Sequence, residues 1–431
     1  MAVDAQQIFD MLMDSQYWPP EQMLEYQRSQ LEQLLRHART NVPFYKTRLD
    51  CVFRRDGSID WDCWAEIPIV TRADLRDRRN EMQATVLPPG HGPTGVISSS
   101  GSTGVSIQIT IPKIMTFVAG QAWRRAQLAH KIDVSKGYLI FRTLNADGSN
   151  ITYDMTQEVK GAGEVSPIAI KRGLSTPQKL ELVKQSGLRI LLDTSIHVEI
   201  LAHENIRQGR PVKLDVVIGI GMGFTSEQEA LILASFGARI FSPYSSKEGA
   251  LMASQCPVNR KHFHITSEQL ISEVVDEYDR LIEDGKVGRS IITPLFNTAQ
   301  PLIRYDQGDL VAKLNDCGCQ VRLPVFTQIA GRSDPIFRFP GRDVVIARVD
   351  DVLVQSALCA DAFQFAQVAA LEVHVRYLAV QEADNAAVSM VRQHLSPLFG
   401  SDVMLNFIRV DEIPQNAGGK QQRFVREHLP Q

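Results

Sequence analysis

Residues 98–104 form a stretch whose composition suits a loop that binds phosphate. All seven positions carry only hydroxyl side chains or glycine: Ser98, Ser99, Ser100, Gly101, Ser102, Thr103 and Gly104. Glycines let backbone N–H groups converge on an anion, and small hydroxyl side chains donate further hydrogen bonds. The stretch is not a Walker A loop, because Val105 stands where that motif has lysine. Taken alone, it is also compatible with an ordinary turn between two strands.

Three later segments offer a carboxylate or an amine. Tyr244, Ser245 and Glu248 set an aromatic ring, a hydroxyl and a carboxylate close together in a predicted loop. Asp309 follows a glycine in a predicted turn, where a carboxylate is usually turn chemistry but can also accept hydrogen bonds from both ribose hydroxyls. Lys420 follows two glycines in another predicted turn. An exposed lysine is usually solvated, so its position alone gives it no role.

The cysteines and histidines of two segments have the residue types of a metal site. Cys317 and Cys319 form a C-x-C pair, and Cys256 shortly precedes His262 and His264. Three thiols and one imidazole suit tetrahedral structural zinc. The spacing alone leaves two questions open: whether these are unconnected loop cysteines, and which histidine would bind.

Composition and charge exclude several classes of partner. The chain has 431 residues, which predicts two or three domains. A net charge of −3 gives no case for binding nucleic acid or an anionic membrane. We expect no membrane span and no secretory signal. Six cysteines are sparse for a disulfide scaffold, so we expect a soluble cytoplasmic protein. A homodimer is left open.

Strands and helices alternate along residues 137–241, which predicts a largely parallel sheet. The predicted strands are 138–143, 189–192, 215–220 and 238–241, and the predicted helices are 176–186, 196–209 and 227–236. Ligands of such sheets lie at the carboxyl ends of the strands. The fold class is therefore predicted as α/β.

The flanking regions complete the predicted organisation. A helix is expected within residues 17–49, with Leu24 on its apolar face, and a long helix follows Pro112. Residues 270–330 are predicted to be mainly β-structure, including a strand at 320–323. A compact α+β domain is expected from Gly331 onward.

The motifs occur together in the order and spacing of the adenylate-forming enzymes, which the chain resembles along nearly its whole length. They are the hydroxyl–glycine loop, the Tyr-x-x-x-Glu loop, P-L-I-R-Y-x-x-G-D, G-R-S-D and the late Gly-Gly-Lys. N-V-P-F-Y, and G-R-S-D followed by G-R-D-V, are similar to the phenylacetate–CoA ligase branch. The resemblance implies a large ATP- and acid-binding domain (residues 1–330) with mixed sheets and helices, and a small mobile lid domain (residues 331–431).

The resemblance also implies a reaction. An aromatic or small apolar carboxylic acid attacks the α-phosphate of ATP, and the acyl-adenylate passes its acyl group to coenzyme A. Site residues are implied as follows: Ser99, Ser100, Gly101, Ser102, Thr103 and Gly104 around the phosphates, Glu248 on Mg²⁺, Tyr244 and Ser245 near the nucleotide, Asp309 and Arg332 at the ribose, Lys420 as the catalytic amine, and Asp334 as the hinge. The acid pocket is expected from residues 141–150, 219–224 and 241–246. Some relatives carry a similar cysteine and histidine arrangement, which favours zinc.

The sequence departs from the family pattern at several positions. Pro335 follows Asp334, and a proline restricts the backbone of the residue before it. Val105-Ser106 replaces Lys-Pro, and Lys247 stands where a threonine is usual. Two alternatives therefore remain. One is a ligase of secondary metabolism that transfers the acyl group to an amine, another small nucleophile or a carrier protein, and the other is a nucleotide-binding homologue without catalysis.

Overall fold

The structure is a computed structural model. It describes residues 4–98, 107–142, 168–171, 176–221, 223–332, 337–344, 354, 357–360, 362–413 and 424–427. The chain divides into two compact units. The first contains Met1–Ile97, Gln108–Gln307 and Val311–Ile329, and the second contains Ser98–Ile107, Gly308–Leu310 and Ala330–Gln431.

The described residues form these α-helices: α1 (Ala5–Ser15), α2 (Pro20–Asn41), α3 (Arg72–Asp77), α4 (Lys113–Ala129), α5 (Thr176–Ser186), α6 (Ser195–Arg207), α7 (Ser226–Phe236) and α8 (Asn385–Phe399). Side chains at the helix ends explain several boundaries. Thr71 and Asp74 close a capping box at the start of α3. Thr225 and Gln228 do the same for α7, which ends at Gly237 in the left-handed conformation.

The strands of the first unit begin with β1 (Thr94–Ser98) and β2 (Gln108–Pro112), which pair with each other. The next are β3 (Leu139–Arg142), β4 (Ile168–Lys171), β5 (Ile190–Asp193), β6 (Val216–Gly219) and β7 (Arg239–Phe241). They are followed by β8 (Pro243–Ser246), β9 (Ala250–Gln255), β10 (Phe263–Ile265), β11 (Leu270–Val275), β12 (Val287–Pro294), β13 (Tyr305–Leu314) and β14 (Val325–Arg332).

A five-stranded parallel sheet in the order β4-β3-β5-β6-β7 forms one part of the first unit. Its strands are apolar on both faces, as expected when helices cover both sides. Helices α5, α6 and α7 pack on one face, with Leu180, Leu201 and Phe236 in that core. On the other face, Leu12 of α1 and Trp123 of α4 share a core with Ile190, Ile218 and Phe241. The strand-and-helix alternation predicted from the sequence is confirmed.

A seven-stranded sheet in the order β11-β12-β13-β14-β10-β9-β8 forms the other part. The pairs β8–β9, β9–β10, β10–β14 and β11–β12 are antiparallel. Antiparallel neighbours need only short connections, which fits the short segments that join β8 to β9, β9 to β10 and β11 to β12. The β10–β14 pair instead joins segments that are distant in sequence.

The second unit contains strands β15 (Phe337–Phe339), β16 (Arg342–Val344), β17 (Ala362–Ala369), β18 (Glu372–Leu378), β19 (Met404–Arg409) and β20 (Phe424–Arg426). Four of them form a sheet in the order β19-β18-β17-β20, and β15 pairs with β16. Val391, Leu395 and Phe399 of α8 pack with apolar residues of this sheet in one core. Asp384 caps α8 by accepting a hydrogen bond from the Ala387 backbone N–H at 2.7 Å.

Two sequence expectations are wrong in detail. Residues 320–323 are not a strand, because Pro324 lacks the N–H donor of a central strand and β14 starts only after it. Tyr244 and Ser245 lie in strand β8 rather than in a loop. A third correction, at Asp309, is described with the candidate site. Leu24 is on the apolar side of α2, as expected, and is 47% exposed.

Candidate active site and metal centre

The carboxyl ends of β5, β6 and β7 form one edge of the parallel sheet. Asp193 pairs in register with Gly219, and Ile218 pairs with Phe241. Asp193 and Gly219 are therefore neighbours across the sheet. Ser242, the residue after Phe241, is next to Gly219 in the same row of strand ends. Open sheets of this kind bind their ligands at this edge. Side chains at the row are thus candidates for ligand contact.

Two polar residues at this edge were not identified by sequence reasoning. The Asp193 side chain is fully buried, and its Oδ1 accepts a hydrogen bond from the Thr194 backbone N–H at 2.7 Å. The same oxygen lies 3.4 Å from Nδ1 of His197, in the first turn of α6. A carboxylate beside Nδ1 favours the tautomer with its hydrogen there, which leaves Nε2 as an acceptor. The sequence signal that could have indicated these two residues is the mostly polar run D-T-S-I-H, which directly follows a predicted strand.

The loop after β6 depends on glycine. A Cβ atom at Gly219 would overlap the ring of Phe224, and Gly221 has a φ of +86°. The Phe224 ring therefore covers the end of β6 at close range. This supports a tight turn as the main reason for glycine at these positions.

Glu248 lies in the turn between β8 and β9 and is buried. Ser246 Oγ accepts a hydrogen bond from the Gly249 backbone N–H at 2.8 Å, which closes the turn around it. Gly249 is tightly packed, because a Cβ there would lie 2.7 Å from Cγ of Met252. The carboxylate is therefore held on a short, rigid connection.

Tyr244 and Ser245 precede that turn in β8. The Tyr244 ring packs edge-on against Phe326, with 5.6 Å between ring centroids and an interplanar angle of 85°. The register with β9 shifts between Tyr244 and Ser245, and Ser245 is exposed. A register shift of this kind re-aims the side chains of an edge strand.

Asp309 does not lie in a turn, so that expectation is wrong. It belongs to β13, which runs without interruption through it, and it is half-buried. The preceding Gly308 has a φ of +72°. The Gly-Asp pair reads as a turn in sequence, but a single left-handed glycine is accommodated within the strand.

The arginine of the P-L-I-R-Y segment is structural. Arg304 is 1% exposed, and its Nη2 lies 3.1 Å from Oε1 of Glu273. Its Nη1 donates to the carbonyls of Ala65 and Ile67, at 2.5 and 2.7 Å. Burial raises the pKa of Glu273, and the adjacent guanidinium opposes that shift. This buried pair fixes the start of the strand that carries Asp309.

The other residues that are predicted to bind the nucleotide, or their side chains, lie outside the described part of the chain. Arg332 is the last residue of β14, and its side chain lies outside the described residues. Asp334, Lys420 and the run from Ser99 to Gly104 also lie outside them. Their roles stay predictions.

The structure brings the predicted metal ligands together. The ligand atoms of Cys256, His264, Cys317 and Cys319 all lie within 4.8 Å of one another. Sγ of Cys256 is 3.8 Å from that of Cys317 and 4.0 Å from that of Cys319. Nε2 of His264 is 3.4 Å from Sγ of Cys319. The cluster joins the β9–β10 hairpin to the connection between β13 and β14.

The surroundings of the two histidines differ. Nδ1 of His264 lies 3.3 Å from the Leu323 carbonyl, so this nitrogen is the donor and Nε2 turns its lone pair to the thiols. Burial lowers the pKa of His264 to about 4, which keeps the ring neutral. His262 approaches Cys317, with 3.2 Å from Nδ1 to Sγ, but it is not part of the four-ligand group. The geometry thus favours His264.

Known proteins resemble both this sequence and this fold. The phenylacetate–coenzyme A ligase of Pseudomonas putida is 25% identical over 392 residues, which cover 86% of each chain. That of Thermus thermophilus is 24% identical over 355 residues, covering 78% of this chain and 76% of that protein. The chain is thus similar to phenylacetate–coenzyme A ligases over most of both chains. No protein-family model matches the chain.

Solved structures have a similar fold. A 2-hydroxyisobutyryl-CoA ligase in complex with its acyl-adenylate has a TM-score of 0.68 and 18% identity, covering 96% of this chain and 92% of that one. An acyl acid amido synthetase has a TM-score of 0.57 and 15% identity, covering 89% and 86%. Within the described part of the chain, no helix has both the length and the apolar character that a membrane span requires.

Proposed function

We propose that the protein activates a carboxylic acid with ATP and transfers the acyl group to coenzyme A. In the first step, a carboxylate oxygen bonds to the α-phosphorus and pyrophosphate leaves. In the second, the thiol sulfur bonds to the acyl carbon and AMP leaves. The similarity to phenylacetate–CoA ligases over most of both chains carries this proposal. The preferred acid is an aromatic or small apolar one.

The nucleotide roles are assigned by the family pattern. Residues 99–104 would hold the phosphates, and Glu248 would bind Mg²⁺, which prefers carboxylate oxygen. Tyr244 and Ser245 would contact the nucleotide, and Asp309 and Arg332 would bind the ribose. Lys420 would neutralise charge at the reacting α-phosphate, since such transfers depend on positioning and charge stabilisation. Asp334 would be the hinge between domains 1–330 and 331–431.

The acid or the acyl acceptor would bind at the carboxyl edge of β5, β6 and β7. Asp193 orients His197 there, and Nε2 can accept a hydrogen bond from a substrate group. The Phe224 ring over Gly219 supplies an apolar wall at the same edge. The Phe224 ring would contact the apolar part of a small acid. His197 would accept a hydrogen bond from that acid or from the second substrate.

Zinc would occupy the thiol cluster as a structural ion. Cys256, Cys317, Cys319 and His264 supply the three sulfurs and one nitrogen that a closed tetrahedral site needs. The Asn259 backbone N–H donates to Cys256 Sγ at 3.3 Å, a contact that stabilises thiolate charge. Glu248 precedes strand β9, whereas Cys256 of the cluster follows the end of that strand. We therefore assign no reaction step to the cluster.

Pyrophosphate exchange into ATP, measured with a panel of acids, tests the adenylation. We expect exchange that requires both Mg²⁺ and an acid, followed by AMP formation that requires coenzyme A. Glu248→Gln should lower the exchange by about 100-fold or more, because one charge-stabilising group is lost. Glu283→Gln is the matched control, since Glu283 is exposed and pairs with Lys286. Exchange that is absent with every acid would contradict the proposal.

A further inference from the structure

A cavity of about 240 Å³ lies beside the start of α2, in the first unit. Trp18, Met23 and Leu24 line one side of it, and Ile271 and Leu323 line another. None of its lining residues belongs to the predicted nucleotide site, to the carboxyl edge of the parallel sheet or to the thiol cluster. The volume is below the 300 Å³ or so at which pockets for drug-sized ligands usually begin, so any occupant is small.

Leu24 is one of the apolar side chains in the cavity wall. It is on the same side of α2 as the buried residues Leu31 and Leu35, and it is 47% exposed. Trp18 is fixed at the entrance, since its indole N–H donates to Asp14 at 2.7 Å and its ring packs edge-on against Tyr26. The apolar wall is thus preformed rather than dependent on a ligand.

A cationic group lies in the wall of the cavity. Lys313 of β13 donates from Nζ to the Ser272 carbonyl at 2.9 Å, and it makes no ion pair with any described residue. An ammonium group has three donors, and a buried one is costly when they are not satisfied. Burial lowers the pKa of Lys313, and the more distant Asp284 and Glu273 oppose that shift.

The nearby carboxylates are already engaged. Asp284 accepts a hydrogen bond from Asn315 at 2.7 Å, and Glu273 pairs with the buried Arg304. Arg322, which also lines the cavity, makes no ion pair with a described residue and adds a second positive charge. Within the part of the chain that the structure describes, no carboxylate therefore forms an ion pair with Lys313 or Arg322.

Ser272 holds the ammonium group in place. Its backbone carbonyl accepts the hydrogen bond from Lys313 Nζ at 2.9 Å, and the residue is 8% exposed in the cavity wall. An ammonium group at one end, with an indole and aliphatic side chains at the other, is complementary to a carboxylate that carries an apolar body.

We propose that this cavity binds a small monocarboxylate, with its carboxylate at Lys313 and its apolar body against Trp18, Met23 and Leu24. The site shares no lining residue with the predicted catalytic one. Binding of a monocarboxylate there does not depend on the proposed function, and only the identity of that ligand with the activated acid rests on it. The ligand is either the acid that the enzyme activates or another acid of the same chemistry, which would make the site a sensor of acid concentration.

Binding of phenylacetate to the full chain, followed by Trp18 fluorescence, tests this inference. The chain has four tryptophans, so Trp18→Phe identifies the part of the signal that reports on the cavity. We expect phenylacetate and octanoate to change that signal, and neutral phenylacetamide and inorganic phosphate not to change it. Lys313→Gln should weaken phenylacetate binding by about 10- to 100-fold, as for loss of a hydrogen bond to a charged group.

Two further variants separate charge from folding. Lys313→Arg keeps the charge and should retain most of the binding, while Lys286→Gln removes an exposed lysine that pairs with Glu283 and should leave binding unchanged. Pyrophosphate exchange should persist in Lys313→Gln, which distinguishes the cavity from the catalytic acid site. A Trp18 signal that phenylacetamide or phosphate reproduces, or that Lys313→Gln leaves intact, would overturn the proposal. So would the absence of any Trp18 response.

Discussion

Arg304 illustrates how a residue inside a functional motif can serve the fold. Its guanidinium satisfies Glu273 and two backbone carbonyls in a site without water access. A buried charge that loses its partner is strongly destabilising. The arginine of the P-L-I-R-Y segment therefore stabilises the start of β13.

Replacing Arg304 by Met should lower the free energy of unfolding by about 3–5 kcal/mol, because Glu273 would stay buried without its cation. Denaturant unfolding monitored by circular dichroism measures this. Arg280→Met is the control, since Arg280 is mostly exposed and its pair with Asp276 should contribute at most about 1 kcal/mol. Equal losses in the two variants would contradict a structural role for the buried pair.

His197 gives a second prediction at the level of one side chain. Its Nε2 would accept a hydrogen bond at the carboxyl edge of the parallel sheet, so His197→Gln should lower kcat/KM for the acid or the acceptor by about 10-fold or more. The KM for ATP should stay the same. His203→Gln is the control, because His203 is an exposed residue of the same helix. Unchanged kinetics in His197→Gln would remove it from the site.

Helices and strands with a clear pattern of apolar residues were predicted well. Helix α5 was placed at the residues it occupies, and β5, β6 and β7 were each placed within a residue or two of their ends. These segments are apolar on the faces that the core covers, so local pattern and tertiary environment agree. The capping box at Thr71 is a local feature of the same kind, because both of its partners lie within one turn of sequence.

The errors concern segments whose structure is decided by distant partners. Tyr244 and Asp309 follow turn-forming residues, yet both lie in strands because neighbouring strands supply the hydrogen bonds. Asp193 and His197 carry no motif, and they become a pair only because α6 starts directly after β5. The choice between His262 and His264 also needed the fold, since the Leu323 carbonyl that orients His264 is remote in sequence.

The loop after β6 provides a test at this scale. Gly219→Ala should lower the free energy of unfolding by about 1–3 kcal/mol, because the added methyl group overlaps the Phe224 ring. Combining it with Phe224→Ala should cost less than the sum of the two single changes, since the overlap disappears. Thermal or denaturant unfolding of the four proteins measures the coupling. Strict additivity would contradict the close packing.

The first unit as a whole combines two sheets with different connections. Its parallel sheet is held by helices on one face and by α1 and α4 on the other, so its strands are fixed through a large apolar core. The connection between β13 and β14 has little apolar cover of its own: only Cys256, Cys317 and Val325 form its small core, with Leu314 and Cys319 beside them. A metal ion is an effective way to fix such a region.

Zinc at the thiol cluster should therefore affect the stability of the whole first unit. Elemental analysis should find about one zinc per chain, and removal of the metal by a strong chelator should lower the melting temperature because Cys256 is no longer tied to Cys317 and Cys319. Cys317→Ser should lose the metal and show the same destabilisation. His264→Ala should do so as well, whereas His262→Ala should retain most of the metal.

The matched controls for the cluster are cysteines elsewhere in the chain. Cys51 and Cys359 are exposed, so replacing them with Ser should leave zinc content and melting temperature unchanged. If Cys317→Ser keeps the metal, the cluster is not the site. If it loses the metal without any change in melting temperature, the ion does not support the fold. Because the cluster joins segments more than fifty residues apart in sequence, a stabilising ion should also slow the unfolding of both sheets together rather than of one hairpin alone.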